Sequence, residues 1–137
     1  MTLTLVGVVE EDGRRGFSVP QTAYRILRVR VGETTTIKLR VVKASGLLFD
    51  LAGWTVTLMV KGRPGPFGDK KIEKIATLTP LLGEETCEFV ITSLDTKRMG
   101  EENKLRYFYD VVLVKDSDRY VAVPSSPFQL LQSVQSG

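Results

Sequence analysis

Histidine is absent from the 137 residues, and cysteine occurs once, at Cys87. Without an imidazole there is no base for a Ser-His-Asp or Cys-His nucleophilic system, and too few soft ligands remain for an ordinary zinc site. One thiol cannot close a disulfide within the chain, which suits assembly in a reducing compartment. Long apolar runs are missing as well. No stretch approaches the ~18 apolar residues that span a bilayer, and the opening MTLTLVGVVEEDGRR has no cationic segment before its apolar run, so neither a membrane span nor an export signal is expected. Charge of one sign is scarce too: 19 Lys and Arg stand against 16 Asp and Glu, interspersed, for a net +3, which gives nucleic-acid binding little footing.

What is present is an ordinary globular composition, 42% hydrophobic and 26% charged, in a chain close to the roughly 150 residues of one domain. A domain of this size buries about two-thirds of its unfolded surface, enough for a core without staples. The dominant period is two. Leu27, Val29 and Val31 alternate with Arg28 and Arg30; after Gly32-Glu33, Ile37, Leu39 and Val41 alternate with Lys38 and Arg40. These segments predict two half-buried strands joined as a hairpin, with all four cations on its outward face. Trp54, Val56, Leu58 and Val60 share one face of another strand, 70–75 and the less regular 75–78 follow, and Cys87, Phe89 and Ile91 mark a further one. Leu105, Tyr107, Tyr109, Val111 and Leu113 alternate with Phe108, Val112 and Val114; being apolar on both faces, this strand is expected to be central or to meet a partner. Val121 and its neighbours pair back after a polar turn, Pro124 and Pro127 interrupt, and a short strand around Phe128 closes the domain.

Glycines and prolines make 61–69 a loop, but no Gly-Lys-Ser/Thr opens a helix there, so it is not a phosphate-binding loop. One short helix is expected over 93–100, with Ser93 as its N-cap, Asp95 early, Lys97 and Arg98 late, and Gly100 at its end. Seven or eight short strands at regular spacing predict an all-β, two-sheet antiparallel sandwich, in preference to a barrel, over 24–132, with a strand or arm over 1–23 and a flexible tail over 133–137. The arm carries Leu3, Leu5, Val6, Val8 and Val9 ahead of a polar, glycine-rich stretch. Two readings stand: an arm that adds to a neighbouring subunit's sheet, or the first strand of this chain's own sandwich followed by a long loop.

Two stretches carry a resemblance. Val31-Gly32-Glu33-Thr34-Thr35-Thr36-Ile37-Lys38-Leu39-Arg40-Val41-Val42, followed by Phe49-Asp50-Leu51-Ala52-Gly53-Trp54 and the strand ending at Lys61, resembles the opening of immunoglobulin-like domains of tailed-phage virion proteins, the N-terminal domain of the baseplate upper protein family in particular. The segment from Asp95-Thr96 through Tyr107-Phe108-Tyr109-Asp110-Val111-Val112-Leu113 to Phe128-Gln129-Leu130 is similar to that family's closing hairpin. The likeness covers roughly 26–131. Departures are Glu101-Glu102-Asn103-Lys104 in place of a usual glycine, and the Pro124/Pro127 break. The resemblance implies a structural virion component with no catalytic residues to carry over. Asp50 suits a corner, where its carboxylate accepts a backbone N–H, and Gly53 supplies positive φ.

Individual residues sharpen this. Trp54, Tyr107 and Tyr109 read as core aromatics, and Cys87 as a small buried hydrophobe. Asp50, Asp95 and Asp110 have no spacing that places two acids across a cleft, so catalysis is not expected. Candidate contact residues are Leu3 and Leu5 of the arm, Arg28, Arg30, Lys38 and Arg40 as a basic face, and Phe67 near the tip of the loop after Lys61. The basic face fits an acidic partner surface, or a solvated face covered by Glu10, Glu11 or Glu33. The expectation is a non-enzymatic tail, baseplate or fibre-attachment protein of the virion, assembled in the host cytoplasm as a trimer or hexamer with other virion proteins, with no cofactor and no metal. Alternatives are a capsid decoration (cement) protein and a carbohydrate-binding module, the latter requiring exposed coplanar aromatics; a nucleic-acid-binding barrel is disfavoured.

Overall fold

In the computed structural model, which describes residues 2–9, 26–43, 45, 47, 49–63, 69–81, 84–101 and 106–131, the period-two pattern becomes nine strands in two sheets. In chain order they are β1 (Thr2–Val9), β2 (Leu27–Arg30), β3 (Thr35–Lys43), β4 (Thr55–Lys61), β5 (Lys70–Ile75), β6 (Thr77–Leu81), β7 (Glu84–Ile91), β8 (Arg106–Lys115) and β9 (Asp118–Leu131), with helix α1 (Ser93–Gly100) between β7 and β8. A four-stranded sheet has the order β1-β3-β7-β6, and a five-stranded sheet the order β2-β9-β8-β4-β5. The fold is the all-β sandwich that the sequence predicts.

Alternation fills the space between the sheets. Ile37, Leu39 and Val41 of β3 and Phe89 and Ile91 of β7 are buried together with Val56, Leu58 and Val60 of β4 and Tyr107, Tyr109, Val111 and Leu113 of β8. Each such side chain contributes about 1.5–3 kcal/mol relative to exposure. Cys87 lies in the same layer as a small hydrophobe, its thiol pushed up to about 12 by burial. Tyr109 meets Phe128 edge-on at 6.5 Å, and the Tyr107 hydroxyl donates to the Met99 carbonyl of α1 at 3.0 Å, which gives a buried phenol its partner. β8 is central in its sheet, between β9 and β4, as its two apolar faces require.

β2 and β3 do not form a hairpin. β2 pairs in parallel with β9, from Leu27↔Phe128 to Arg30↔Leu131, whereas β3 pairs antiparallel with β7 and parallel with β1. Residues 31–34 are where the chain crosses from one sheet to the other. Gly32 takes φ +87, a conformation that a side chain disfavours, and its N–H donates to the Thr96 hydroxyl at 2.9 Å. That hydroxyl, fully buried, donates in turn to the Ser93 carbonyl at 3.0 Å. Val31 N–H donates to the Leu131 carbonyl at 2.9 Å. A period of two says which side chains point inward, not which strand lies alongside.

Of the two readings of the N-terminal segment, the structure has the strand of the chain's own sandwich. β1 runs parallel to β3 from Thr2↔Thr36 to Val9↔Lys43; Leu5 and Val9 are buried and Leu3 packs against the same core. Gly7 allows a close approach to the other sheet: a β-carbon there would lie 3.0 Å from the Ala122 Cβ and 3.2 Å from its carbonyl oxygen. Ala122 follows directly on a register shift between β8 and β9. On the opposite side of the sandwich β5 leads through Ala76 into β6 of the other sheet, and the Ala76 N–H donates to the Val56 carbonyl at 2.8 Å.

Two local expectations are corrected. Pro124 and Pro127 do not split the last segment; β9 is one strand of 14 residues. Tyr109 faces Ser126 and Val111 faces Val123, so Pro124 and Ser125 together stand against Asp110, a bulge where the ladder has no N–H to lose. Ser126 Oγ donates to the Pro124 carbonyl at 2.8 Å. The N-cap of α1 is Thr92, not Ser93, and Asp95 completes a capping box with it. The 50–53 corner is as expected: Ala52 N–H donates to Asp50 Oδ1 at 2.9 Å and Gly53 has φ +81.

Thr96→Val removes the acceptor of the Gly32 N–H while keeping the side-chain shape. It is expected to lower the unfolding free energy by about 1–3 kcal/mol in urea denaturation, and Thr96→Ser, which keeps the hydroxyl, by clearly less.

Candidate functional site

The crossing at 31–34 decides where the predicted contact residues lie. Lys38 and Arg40 point outward from the four-stranded sheet, Lys38 facing its register partner Glu88 with Nζ 3.9 Å from Oε1. Arg28 and Arg30 point outward from the edge of the five-stranded sheet, where Arg28 Nε donates to Gln129 Oε1 at 3.3 Å. The single basic face is therefore corrected to two pairs of cations on opposite faces of the sandwich. Leu3 and Leu5 face this chain's own core, so neither lies on a free surface. Phe67, Glu10 and Glu11 lie outside the described residues.

The surface that stands out is the outer face of the five-stranded sheet. Val121 of β9, Val112 of β8, Thr57 of β4 and Ile75 of β5 are successive register partners, forming one row across four strands. At ~4.8 Å per strand the row spans roughly 15 Å. Ile75 is 67% exposed, Val121 44% and Val114, beside the row on β8, 41%. Met59 and Phe108, half-buried, continue the same face on its other side, and Lys61 and Asp110 pair there at 3.6 Å. Single exposed aliphatic residues are ordinary, but an aligned row on adjacent strands is the form that a contact surface takes. The sequence held its signal in the apolar residues on both faces of 105–114; Ile75 could not be joined to it without the register.

Among the described residues the aromatic side chains form no open platform. Trp54 and Tyr120 lie 5.3 Å apart at 31°, Phe49 meets them edge-on at 5.4 and 6.2 Å, and Lys115 Nζ lies 6.0 Å from the Trp54 ring. These rings bind the 49–54 corner to the β8–β9 turn. The three aspartates serve separate structural tasks: Asp50 in its corner, Asp110 with Lys61, and Asp95 with α1. Asp95 Oδ2 accepts from the Thr92 N–H at 2.9 Å and lies 2.9 Å from Lys74 Nζ of β5. Partial burial by itself raises the Asp95 carboxyl, but the hydrogen bonds and charge of Lys74, with those of Thr92, hold it below the usual carboxylate range. Among the described residues no group of three His, Cys, Asp or Glu side chains is placed to hold a metal ion, and no helix is long and apolar enough to cross a membrane.

No family model and no curated protein matches the chain. The fold, however, is phage-like. The chain is similar to the solved N-terminal domain of phage TP901-1 ORF48, with a TM-score of 0.52 and 12% identity over 96% of this chain and 98% of that one. The likeness takes in nearly the whole of both chains, so it concerns the complete two-sheet architecture and not a shared hairpin.

The depressed Asp95 carboxyl ties stability to pH. Its contribution is complete above the unfolded value near 3.8 and is lost as pH falls through the lower native value. Asp95→Asn is therefore expected to melt below the parent protein at neutral pH, with the gap narrowing as the pH is taken through and below 3.8 in a series of thermal melts.

Proposed function

We propose that the chain is a non-enzymatic structural component of a tailed-phage virion, a tail, baseplate or fibre-attachment protein, which works by assembling with copies of itself and with other virion proteins. The observation that carries this reading is the row Val121, Val112, Thr57 and Ile75, an aligned and partly apolar stripe on the water-facing side of a sheet. Covering such a surface returns about 25 cal/mol for each Å² of apolar area removed from water, and the strands beneath it are held rigidly by the core, so little ordering opposes the gain. The phage-like fold supports the virion setting, as do the sequence motifs around Gly32, Asp50 and Tyr109. The cations at Arg28 and Arg30 border the same face and suit an acidic neighbour, while Lys38 and Arg40 are directed to the other side of the molecule. A tail or baseplate position is preferred to capsid decoration because the motif resemblance is to baseplate proteins.

Light scattering on the purified chain tests this. A mass of three or six chains is expected, and Ile75→Lys with Val121→Lys is expected to yield monomers that melt at the parent temperature, since both side chains are exposed in the single chain. A parent protein that is monodisperse as a monomer, and absent from purified particles, overturns the reading.

A further inference from the structure

Each sheet ends in two edge strands, and on three of them the sequence guards the edge. β2 (LRVR) carries two cations, β5 (KKIEKI) is mostly charged, and β6 (TLTPL) includes Pro80, which has no N–H to offer. Charge and proline on an outer strand are what keep its unpaired N–H and C=O groups from taking up another strand. β1 (TLTLVGVV) has neither, and its ladder with β3 runs from Thr2 to Val9 without a bulge. β3 lies on one side of it, and among the described residues no strand pairs with its other side. In a parallel ladder alternate residues turn their N–H and C=O groups to the partner, so the intervening residues of β1 turn theirs outward.

We propose that the outer edge of β1 pairs with β1 of a second copy of this chain, antiparallel about a twofold axis at Thr4. Thr2 then faces Val6, Leu3 faces Leu5, and Thr4 faces its own counterpart. A strand meets itself without repulsion only when it carries no charge, and β1 is the one edge strand that meets that condition over more than five residues. The axis also keeps the pleat in phase. Leu5 and the partly buried Leu3, which face the core, meet each other, while the outward Thr2, Thr4 and Val6 meet among themselves, so that the two four-stranded sheets run on as one. Two threonines directly opposite make a favourable cross-strand pair. The paired stretch stops at Val6 because at Gly7 the strand closes on Ala122 of the other sheet. So short a ladder is weak alone and closes where copies are already gathered, as on assembly through the apolar row. Its occurrence rests on β1 itself and not on that reading.

The test uses the full chain carrying Ile75→Lys and Val121→Lys, so that the outer face plays no part. At micromolar concentration this chain is expected to be a monomer whose amides exchange rapidly at alternate residues of 2–6. Sedimentation equilibrium carried to millimolar concentration is expected to show dimers with a Kd of about 1 mM, and the amide shifts that depend on concentration to lie on β1 and β3. Adding Thr4→Glu puts a carboxylate beside Lys38 within the chain but opposite its own copy across the axis. It is expected to weaken the dimer at least about tenfold at unchanged melting temperature. Thr4→Lys is expected to weaken it likewise, and an equal mixture of the two variants to restore the parent affinity or exceed it, as a Thr4–Thr4 contact between copies requires. Slow exchange throughout 2–6 in the monomer means that the edge is already covered and overturns the proposal. So do a chain that stays monomeric at millimolar concentration, association that Thr4→Glu leaves unchanged, and two variants that do not rescue each other. Protection of β1 in purified particles by a chain that never pairs with itself assigns the edge to a strand of another protein and overturns the second-copy reading. The outcome is independent of the mass measurement on the parent: a chain that never assembles through its outer face still reports on β1, and an unpaired β1 leaves the apolar row untouched.

Discussion

Two polar atoms, the Gly32 amide nitrogen and the Thr96 hydroxyl oxygen, meet 2.9 Å apart at the place where the chain leaves one sheet for the other. Everything downstream depends on that crossing. Had residues 31–34 closed a hairpin, β3 would have continued the β2 edge of the five-stranded sheet, and the four-stranded sheet would have lost the strand that links β1 to β7. Thr96 fixes the alternative because it is buried, hydrogen-bonded on both its donor and acceptor sides, and carried on a helix whose own start is held by the Thr92–Asp95 capping box. α1 is short, but it serves as a clamp: its Met99 carbonyl receives the Tyr107 hydroxyl of the central strand, and its Asp95 reaches Lys74 on the far edge strand. One eight-residue helix thus touches the crossing, the core and the sheet edge.

The crossing also assigns the two outer faces different characters. Lys38 and Arg40 go to the four-stranded sheet, where Glu88 already faces Lys38; Arg28 and Arg30 go to the margin of the face that carries the apolar row. A molecule that displayed all four cations together would repel its own copies over that surface, whereas this arrangement leaves the centre of one face with side chains that gain from being covered. Rigidity comes from the closed sides of the sandwich, the tight Gly7–Ala122 approach on one and the β5–β6 crossover on the other.

Much of the fold was legible in the residues. Period-two runs at 35–43, 55–61, 87–91 and 106–115 located the core strands and their inward sides, and the Asp50 corner, the positive φ of Gly53, the burial of Cys87 and the place of α1 all followed from local chemistry. The neighbours of the strands were not legible. Leu27–Arg30 and 37–41 have equally clean alternation whether they pair with each other or with the partners they have elsewhere in the chain, β9 for the one and β1 and β7 for the other, because alternation carries no information about the far side of a hydrogen bond. The same gap hid the candidate site. Val112, Val121 and Ile75 are unremarkable singly; the row exists only once three independent registers are set side by side. Pro124 and Pro127 misled in the opposite direction: Pro124 lies at a bulge and Pro127 in register with Phe108, and neither ends the strand.

The central claim is that the outer face of the five-stranded sheet is covered when the protein assembles. Hydroxyl-radical footprinting of the assembled chain against the monomeric Ile75→Lys, Val121→Lys chain addresses it most directly, with Met59 as the reactive reporter on that face and the exposed Leu47 as an unrelated reference. The account expects Met59, Val112 and Val114 to be oxidised several-fold more slowly in the assembled protein while Leu47 reacts equally in both. Equal oxidation of Met59 in the two states, or protection confined to Val90 on the other sheet, would contradict it.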